Sequence, residues 1–237
     1  RTESSDVAKG AVIMAFTSLK IRGSDAILSL EELRYRFTAT GEYPFLIGDA
    51  DELERIKELP EFNPGTPFSL IQASAEIRID DWIAIKRKEV DEDGLSPEEF
   101  LGEWQGEILE KGSIRIHKDI GTDEFLPDVY IGLAKLEQPW QLPAVLRYGA
   151  WNDCPHPEVH AAFHRRWQER YGAEIVSMSG DVVECTVRNP PRDQAAAMAL
   201  AMDQYWYCMD IVHQGCESVS NLAATLMNSD YWFFWWD

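Results

Sequence analysis

The stretch Trp151-Asn152-Asp153-Cys154-Pro155-His156 opens a run in which histidine recurs every four residues, at His156, His160 and His164. On a helix that spacing puts side chains on one face, and an i, i+4 pair of imidazoles can chelate zinc. Cys154 lies just upstream, so the residue types suit a Cys/His metal site. A competing reading places the histidines beside a buried apolar stripe, half in solvent; no His-Glu-x-x-His glutamate and no second ligand cluster accompanies them. The same cysteine, with a histidine nearby, could act as a nucleophile. Cysteine is also among the most commonly buried residues, and Trp151 with Pro155 suits a structural turn.

A second polar set crosses an apolar stretch. Asp203, Tyr207 and Asp210 are spaced 4 and 3 apart, which places them on one side of a helix, and Gln214-Gly215 follows. Carboxylates beside an aromatic core can carry raised pKa values and do acid–base work or hold a cationic ligand. They can equally cap loops or pair with Arg165, Arg166 or Arg188, because buried charges need partners. With Trp151, Asn152, Asp153 and Cys154 these residues outline a candidate pocket for small-molecule binding or hydrolysis. No Gly-rich phosphate loop, Ser/His/Asp signature or paired metal-ligand motif is present, and no cofactor is expected.

The elements that must position these residues are clearest in the last third of the chain. A helix is expected from Pro157 to Tyr171, with Val159, Phe163 and Trp167 as its buried stripe and Gly172 as its C-cap. Two strands follow, "AEIVSMS" and "VVECTVR", joined at Gly180-Asp181; alternation turns Glu184 away from Val183 and Cys185. Pro190-Pro191 stops the second strand, and a long helix runs through about Met209, apolar on nearly every side. A further helix with Val219, Leu222, Ala223 and Leu226 at helical spacing leads to "YWFFWWD".

That ending raises its own question. As a strand it points Tyr231, Phe233 and Trp235 to one face and Trp232, Phe234 and Trp236 to the other. Aromatic on both sides, it reads as a covered strand within a sheet rather than an exposed docking peptide. Asp237 then reaches solvent or a cation such as Arg165 or Arg166.

The earlier part is strand-rich in expectation. "AVIMAF", "PFLIG", "SLIQASAEI", "WIAIK", "SIRIH", "VYIGLAKL" and "AVLRYGAW" are short, β-branched or aromatic-rich, and bounded by turn residues. Helix starts are expected at Ser29, Asp49 and Ser96, each three residues before a glutamate in a capping box. Behind them run Leu30/Leu33/Phe37, Leu53/Ile56 and Phe100/Trp104/Ile108. Residues 1–14 read as a leader, 15–148 as a strand-rich α+β part, and 149–237 as an α-β-β-α-α-β domain packed with it. The fold class expected is α+β: a mixed or largely antiparallel sheet flanked by helices, with the C-terminal aromatic strand buried in it.

Composition narrows the partners. The 237 residues are 45% hydrophobic, enough for a substantial core, and 41 acids against 22 bases leave −19. That charge disfavours nucleic acid and anionic membranes and suits a basic protein partner, although acidity also simply confers solubility. Four scattered cysteines are too few for a disulfide scaffold and fit reduced thiols in a cytoplasmic protein. No apolar run outside the tail is long enough to span a bilayer.

Several motifs in this order resemble a known family: Trp151-Asn152-Asp153-Cys154-Pro155, Trp167…Tyr171-Gly172-Ala173-Glu174, Pro190-Pro191, Asp203-Gln204…Tyr207-Cys208…Asp210, Gln214-Gly215 and Trp232…Phe234-Trp235-Trp236-Asp237. Together they resemble the bacterial domain of unknown function 4253 family over residues 150–237, and "TGEYPFLIG" resembles it more weakly. Two departures show: Asp203 stands where the family usually has Glu, and Met209 where it often has Pro. The resemblance implies a C-terminal fold boundary and no activity. The expected function is an acidic protein-interaction domain, immunity-like in neutralising a basic partner; the alternative is the pocket outlined above.

Overall fold

The computed structural model describes residues 15–92 and 97–237; the expected leader, most of "AVIMAF" and the Ser96 cap lie outside them. Among the described residues the order is β1 (Phe16–Ile21), α1 (Ala26–Thr40), β2 (Glu42–Gly48), α2 (Ala50–Phe62), α3 (Pro67–Glu76), α4 (Ile79–Glu92), β3 (Val129–Lys135) and α5 (Leu142–Leu146). It continues with α6 (Pro157–Tyr171), β4 (Ala173–Met178), β5 (Val182–Val187), α7 (Gln194–Tyr207), a π-helical turn (Ile211–Cys216), α8 (Val219–Leu226) and β6 (Tyr231–Trp235). The strands form one mixed sheet in the order β1-β3-β2-β4-β5-β6. Every neighbouring pair is antiparallel except β2 and β4, which run parallel where Leu46 meets Ser177.

Strand alternation sorts the side chains into two cores. Tyr43, Phe45 and Ile47 of β2, Val183 and Cys185 of β5, and Trp232, Phe234 and Trp236 of the final stretch face the large helical layer that includes α2, α5, α6, α7 and α8. Leu46, Val129, Ile131 and Val176 face the other way, onto Ala26 and Leu30 of α1, with Ile114, Ile116 and Leu126 of the 113–126 segment beside them. The sheet is thus helical on one face, and on the other is shared between a single helix and an irregular strap.

Capping chemistry explains which helices the sequence announces. Asp49 Oδ1 accepts from Asp51 N at 3.0 Å and Glu52 N at 3.1 Å, and Leu53, Ile56 and Leu59 make the buried stripe of α2. Gly172 ends α6 in the left-handed region at φ 60. Helix α1 begins earlier than Ser29, which lies inside it.

Four expected strands are something else. "SLIQASAEI" lies largely in α3, started by Thr66, whose side chain accepts from Ser69 N, with Pro67 at the first helical position. "WIAIK" is in α4, where Ile79, Trp82 and Ile83 pack on the core and Trp82 meets Phe163 edge to face at 5.4 Å. "AVLRYGAW" holds the end of α5 and a loop, broken at Arg147 (φ 59), and "SIRIH" pairs with no strand. Short apolar runs carry too little periodicity to separate strand from helix. The helix expected through Phe100, Trp104 and Ile108 stops after one 3-10 turn at Pro97–Phe100. Gly102 (φ 66) and Gly106 (φ 105) take left-handed conformations there, and Ile108 N bonds to Ala224 O instead.

The aromatic ending is strand β6, in the sheet as expected but at its edge. Trp232, Phe234 and Trp236 are buried; Tyr231 and Trp235 are half-buried and Phe233 is 44% exposed, so the covering expected on both faces exists on one. The ladder bonds involve Val187 N with Asp230 O and Trp236 N with Asp181 O, so Tyr231, Phe233 and Trp235 direct their main-chain groups outward. Ser229 Oγ engages Tyr231 N and O, and Cys208 Sγ donates to Trp235 O.

This two-sidedness predicts a split in stability. Phe234→Ala should cost about 3–5 kcal/mol, and Phe233→Ala less than about 1 kcal/mol. Urea denaturation checks both; equal losses would show that the two faces are not distinguished.

Candidate functional site

Helix α6 carries His160 and His164 one turn apart on its buried side, 0% and 2% exposed, so they are not half in solvent; His156, at the N-cap, is exposed. Tyr207, the last residue of α7, places its hydroxyl between them, 2.5 Å from His160 Nδ1 and 3.0 Å from His164 Nε2. Cys154 Sγ lies 3.3 Å from His160 Nε2, and Cys185 Sγ of β5 lies 3.9 Å from His164 Nδ1. A Cys-His-Tyr-His-Cys chain therefore runs through the core.

The loop before α6 is shaped to deliver Cys154. Ala150 N bonds to Cys154 O at 3.2 Å and Pro155 O at 2.9 Å, and Cys154 N bonds to Trp151 O at 2.8 Å. Gly149, at φ 108, has no room for a side chain: a Cβ there would lie 1.9 Å from Pro155 O. Burial fixes the protonation states. It pushes the Cys154 and Cys185 thiols and the Tyr207 hydroxyl up, holds His160 well below the ordinary imidazole range and takes His164 down to about 3. All five groups are neutral at physiological pH. Cys154 is thereby held as a thiol, whereas a nucleophile must be a thiolate. Among the described residues, no three His, Cys, Asp or Glu side chains converge as a metal-ion set.

The remaining sequence-named residues fall into separate places. Helix α7 ends at Tyr207 and Cys208 is extended (φ −147), so Asp210 is not on the helical stripe expected with Asp203. Asp203 sits 3.7 Å from Arg166 Nε and 4.0 Å from Arg170 Nη1; burial raises its carboxyl while these arginines oppose the rise. Asp210 Oδ2 accepts from Asp237 N and its Oδ1 from Gln214 Nε2, each at 3.1 Å. Asn152 Nδ2 donates to Asp237 O. These polar side chains tie down the end of the aromatic stretch. The arginines considered for Asp237 are engaged elsewhere, Arg165 with Ser74 O at 3.1 Å and over the Trp140 ring, Arg166 with Asp80 at 2.8 Å. Trp151 packs edge-on against Tyr148 at 4.9 Å, and Asp153 lies 3.9 Å from Lys86.

A concavity that the sequence did not announce opens on the opposite face of the sheet. Helix α1 covers β2, β3 and β4 there, leaving β5 and β6 to the strap. Between strap and sheet lies a groove of about 710 Å³, floored by Ile116, Leu126, Val182, Phe233 and Trp235. Its outer wall is a hairpin closed by the Lys118–Phe125 bridge and by Asp119, whose Oδ1 accepts from Gly121 N, Thr122 N and Thr122 Oγ1. Ile120, at the hairpin tip, is 88% exposed. Five carboxylates line the groove against two cations, Arg115 and Lys118, and both cations pair with Asp123, at 2.9 Å and 3.3 Å. Among the carboxylates, Glu52 accepts from Gly180 N at 2.6 Å and Arg55 reaches Glu52 and Asp181.

The fifth carboxylate, Glu184, faces away from Cys185 as alternation requires, and is buried at 1% exposure. Its Oε1 accepts from Arg115 N at 2.8 Å and from Tyr231 Oη at 2.7 Å. Burial pushes its pKa up, opposed by those two donors and by the nearby Ser177 hydroxyl and Ile116 amide. Neither Oε2 nor Ser177 Oγ makes a hydrogen bond of proper geometry. A glutamate alternating with Val183 and Cys185 in mid-strand was the one sequence signal of this site.

Residues 130–237 match the family model of a domain of unknown function, DUF4253. The match starts in β3, upstream of the motif span noted above; it contains the whole buried chain and the β5–β6 wall of the groove, and excludes the hairpin and the "TGEYPFLIG" stretch. No curated protein and no solved structure matches the chain.

The neutral imidazoles predict a pH dependence. His160 and His164 titrate near 6.5 when unfolded and far lower when folded, so below that value the unfolded chain binds more protons. Their contribution is complete above about pH 6.5 and is lost as pH falls, at about 1.4 kcal/mol per unit for each. His117, which is buried, and His213 are also lowered by burial and act in the same sense, whereas Glu184 and Asp203, pushed up, act in the other. The urea midpoint should therefore drop from pH 7.5 to pH 5, and His164→Gln should flatten that slope. An unchanged midpoint would show that the imidazoles are not held neutral.

Proposed function

We propose that this protein is a non-covalent binding domain that takes a basic, partly apolar segment of a protein partner in the groove between the hairpin and the sheet. The observation carrying this reading is the groove's lining: an aromatic and aliphatic floor, and five carboxylates against two cations that share the single carboxylate of Asp123. Such a surface attracts positive charge and rewards apolar contact, whereas a phosphate-bearing ligand would meet net repulsion. The volume suits a few residues of chain rather than a whole domain face. A net charge of −19 extends the same preference over long range and raises the encounter rate with a basic protein.

In this reading the protein works as an immunity protein does, masking a basic partner by occupying part of its surface. Its four free cysteines fit a reducing compartment, and we place its work in the bacterial cytoplasm. No helix among the described residues is long and apolar enough to cross a membrane. The buried Cys-His-Tyr-His-Cys chain belongs to the framework: it satisfies polar groups that α6 and α7 bring into the core and orients the two helices against β5.

The expected outcome of a titration follows. A short peptide alternating leucine with lysine and arginine should shift the amide resonances of Ile116, Ile120, Phe233 and Trp235. Its affinity should fall about tenfold between 50 mM and 500 mM salt, as screened charge attraction requires. Phe233→Ala should weaken the binding without unfolding the protein. Equal binding of an acidic peptide with the same leucines, or shifts confined to another surface, would remove this reading.

A further inference from the structure

One end of the groove is already contested by a cation of the chain's own. Glu52 and Asp181 line the groove beside the β4–β5 turn, and Arg55, one turn after Glu52 on α2, reaches both. Its Nη1 lies 3.4 Å from Glu52 and 3.7 Å from Asp181. Gly180 makes room for its stem: a Cβ there would lie 2.6 Å from Arg55 Cδ. Neither ion pair is strong. The Arg55 side chain is 57% exposed and that of Asp181 38%, and pairs this open to water are worth little. Arg55 stands outside the groove's lining, so both carboxylates remain open on the groove side. Arg115 and Lys118 do not compensate them, being drawn to Asp123 on the other wall. Asp181 precedes Val182, whose register partner is Trp235. A cation held at Asp181 therefore has an aromatic floor beside it for its alkyl stem.

We infer that Glu52 and Asp181 form the cation end of the groove, and that Arg55 tunes it by competing with the partner's lysine or arginine for the same two carboxylates. This rests on the groove reading above and goes further, naming the subsite and the residue that sets its strength. The competition makes the groove selective. A cation arriving alone exchanges one weak pair for another and gains almost nothing. A cation that also lays apolar surface on Trp235 and Phe233 gains what Arg55, outside the lining, cannot supply. A segment that is basic and apolar is thus taken, and a merely basic one is refused.

The test titrates the full chain and its variants with acetyl-Leu-Lys-Leu-Arg-Leu-amide at low salt, read by calorimetry and by the amide shifts of Phe233 and Trp235. Arg55→Gln should bind this peptide about threefold more tightly, the scale of an exposed ion pair that no longer has to be given up. Arg55→Lys keeps the competing charge and should restore the original affinity. Lys57→Gln makes the same change in net charge two residues along α2, where Lys57 pairs with Glu54, and should leave the affinity unaltered. Asp181→Asn should weaken binding and shrink the gain from Arg55→Gln, because the two substitutions act on one contact. A peptide with glutamine in place of its lysine and arginine should bind Arg55→Gln and the unaltered chain equally. Unchanged or weaker binding by Arg55→Gln, with groove shifts still present, would overturn the competition and leave the groove reading standing. Tightening by Lys57→Gln as large as by Arg55→Gln would reduce the effect to net charge and overturn the subsite. Absence of groove shifts with every variant would overturn the groove reading as well.

Discussion

The contact on which the structure depends is the stack of Trp167 on Phe234, rings 5.3 Å apart and 3° from parallel. It presses α6 flat against the last strand of the sheet, and Tyr207 meets both rings edge to face at 4.9 Å and 5.0 Å. Trp232 and Trp236 extend the same aromatic layer along the strand. Ring burial on this scale dominates core energetics and fixes geometry, because edge-to-face contacts tolerate few orientations. From that fixed point come the position of α6, hence of His160 and His164, and the direction of β6, hence which aromatics are left for the other face. The layer is almost free of hydrogen bonding: the indole N–H groups of Trp167, Trp232 and Trp236 are buried without acceptors. The histidine-tyrosine chain brings polar specificity into this environment and must be internally complete for the same reason.

The two notional parts of the chain are joined through the sheet. Strand β2 lies between β3 and β4, so the stretch matching the family model is completed by a strand from outside it. Side chains reinforce the join: Tyr43 Oη donates to Ile175 O at 2.6 Å, Arg34 Nη2 donates to the same carbonyl at 2.7 Å, and Asn63 Nδ2 donates to Gly149 O at 2.7 Å. The last of these bonds braces the loop that delivers Cys154. The groove likewise draws on both parts, taking the α2 N-terminus and the hairpin from one and β5 and β6 from the other.

Legibility in the sequence followed the range of the interactions involved. Asp49, Gly172 and the Val159/Phe163/Trp167 stripe act within a turn or two of themselves: Asp49 caps α2, Gly172 ends α6 and the stripe is buried. Glu52, however, accepts from Gly180 N instead of closing the expected capping box. The segments around Ser69 and Trp82 have strand-like composition, and only their packing on α6 and the core decides that they are helical. Gly102 and Gly106 were the overlooked local signal against a helix through Trp104. Of the sequence-named site residues, His160, His164, Cys154 and Tyr207 do converge, since helical spacing aligned the first two and the core closed around them. Asp203 and Asp210 parted because α7 ends between them. The groove could not be read in advance: its walls come from residues near 50, 120, 182 and 234, which only the completed sheet brings together.

An edge strand this aromatic would ordinarily invite runaway lateral growth, chain upon chain. Here the two ends of β6 are blunted by short side chains, Ser229 at one and Cys208 at the other, which occupy main-chain groups that a foreign strand would need. The accessible seam shrinks to the neighbourhood of Phe233, too brief a stretch to nucleate a ladder. Replacing a single hydroxyl at position 229 would free the main-chain groups of Tyr231 and lengthen it, so colloidal behaviour in this molecule hangs on one buried serine.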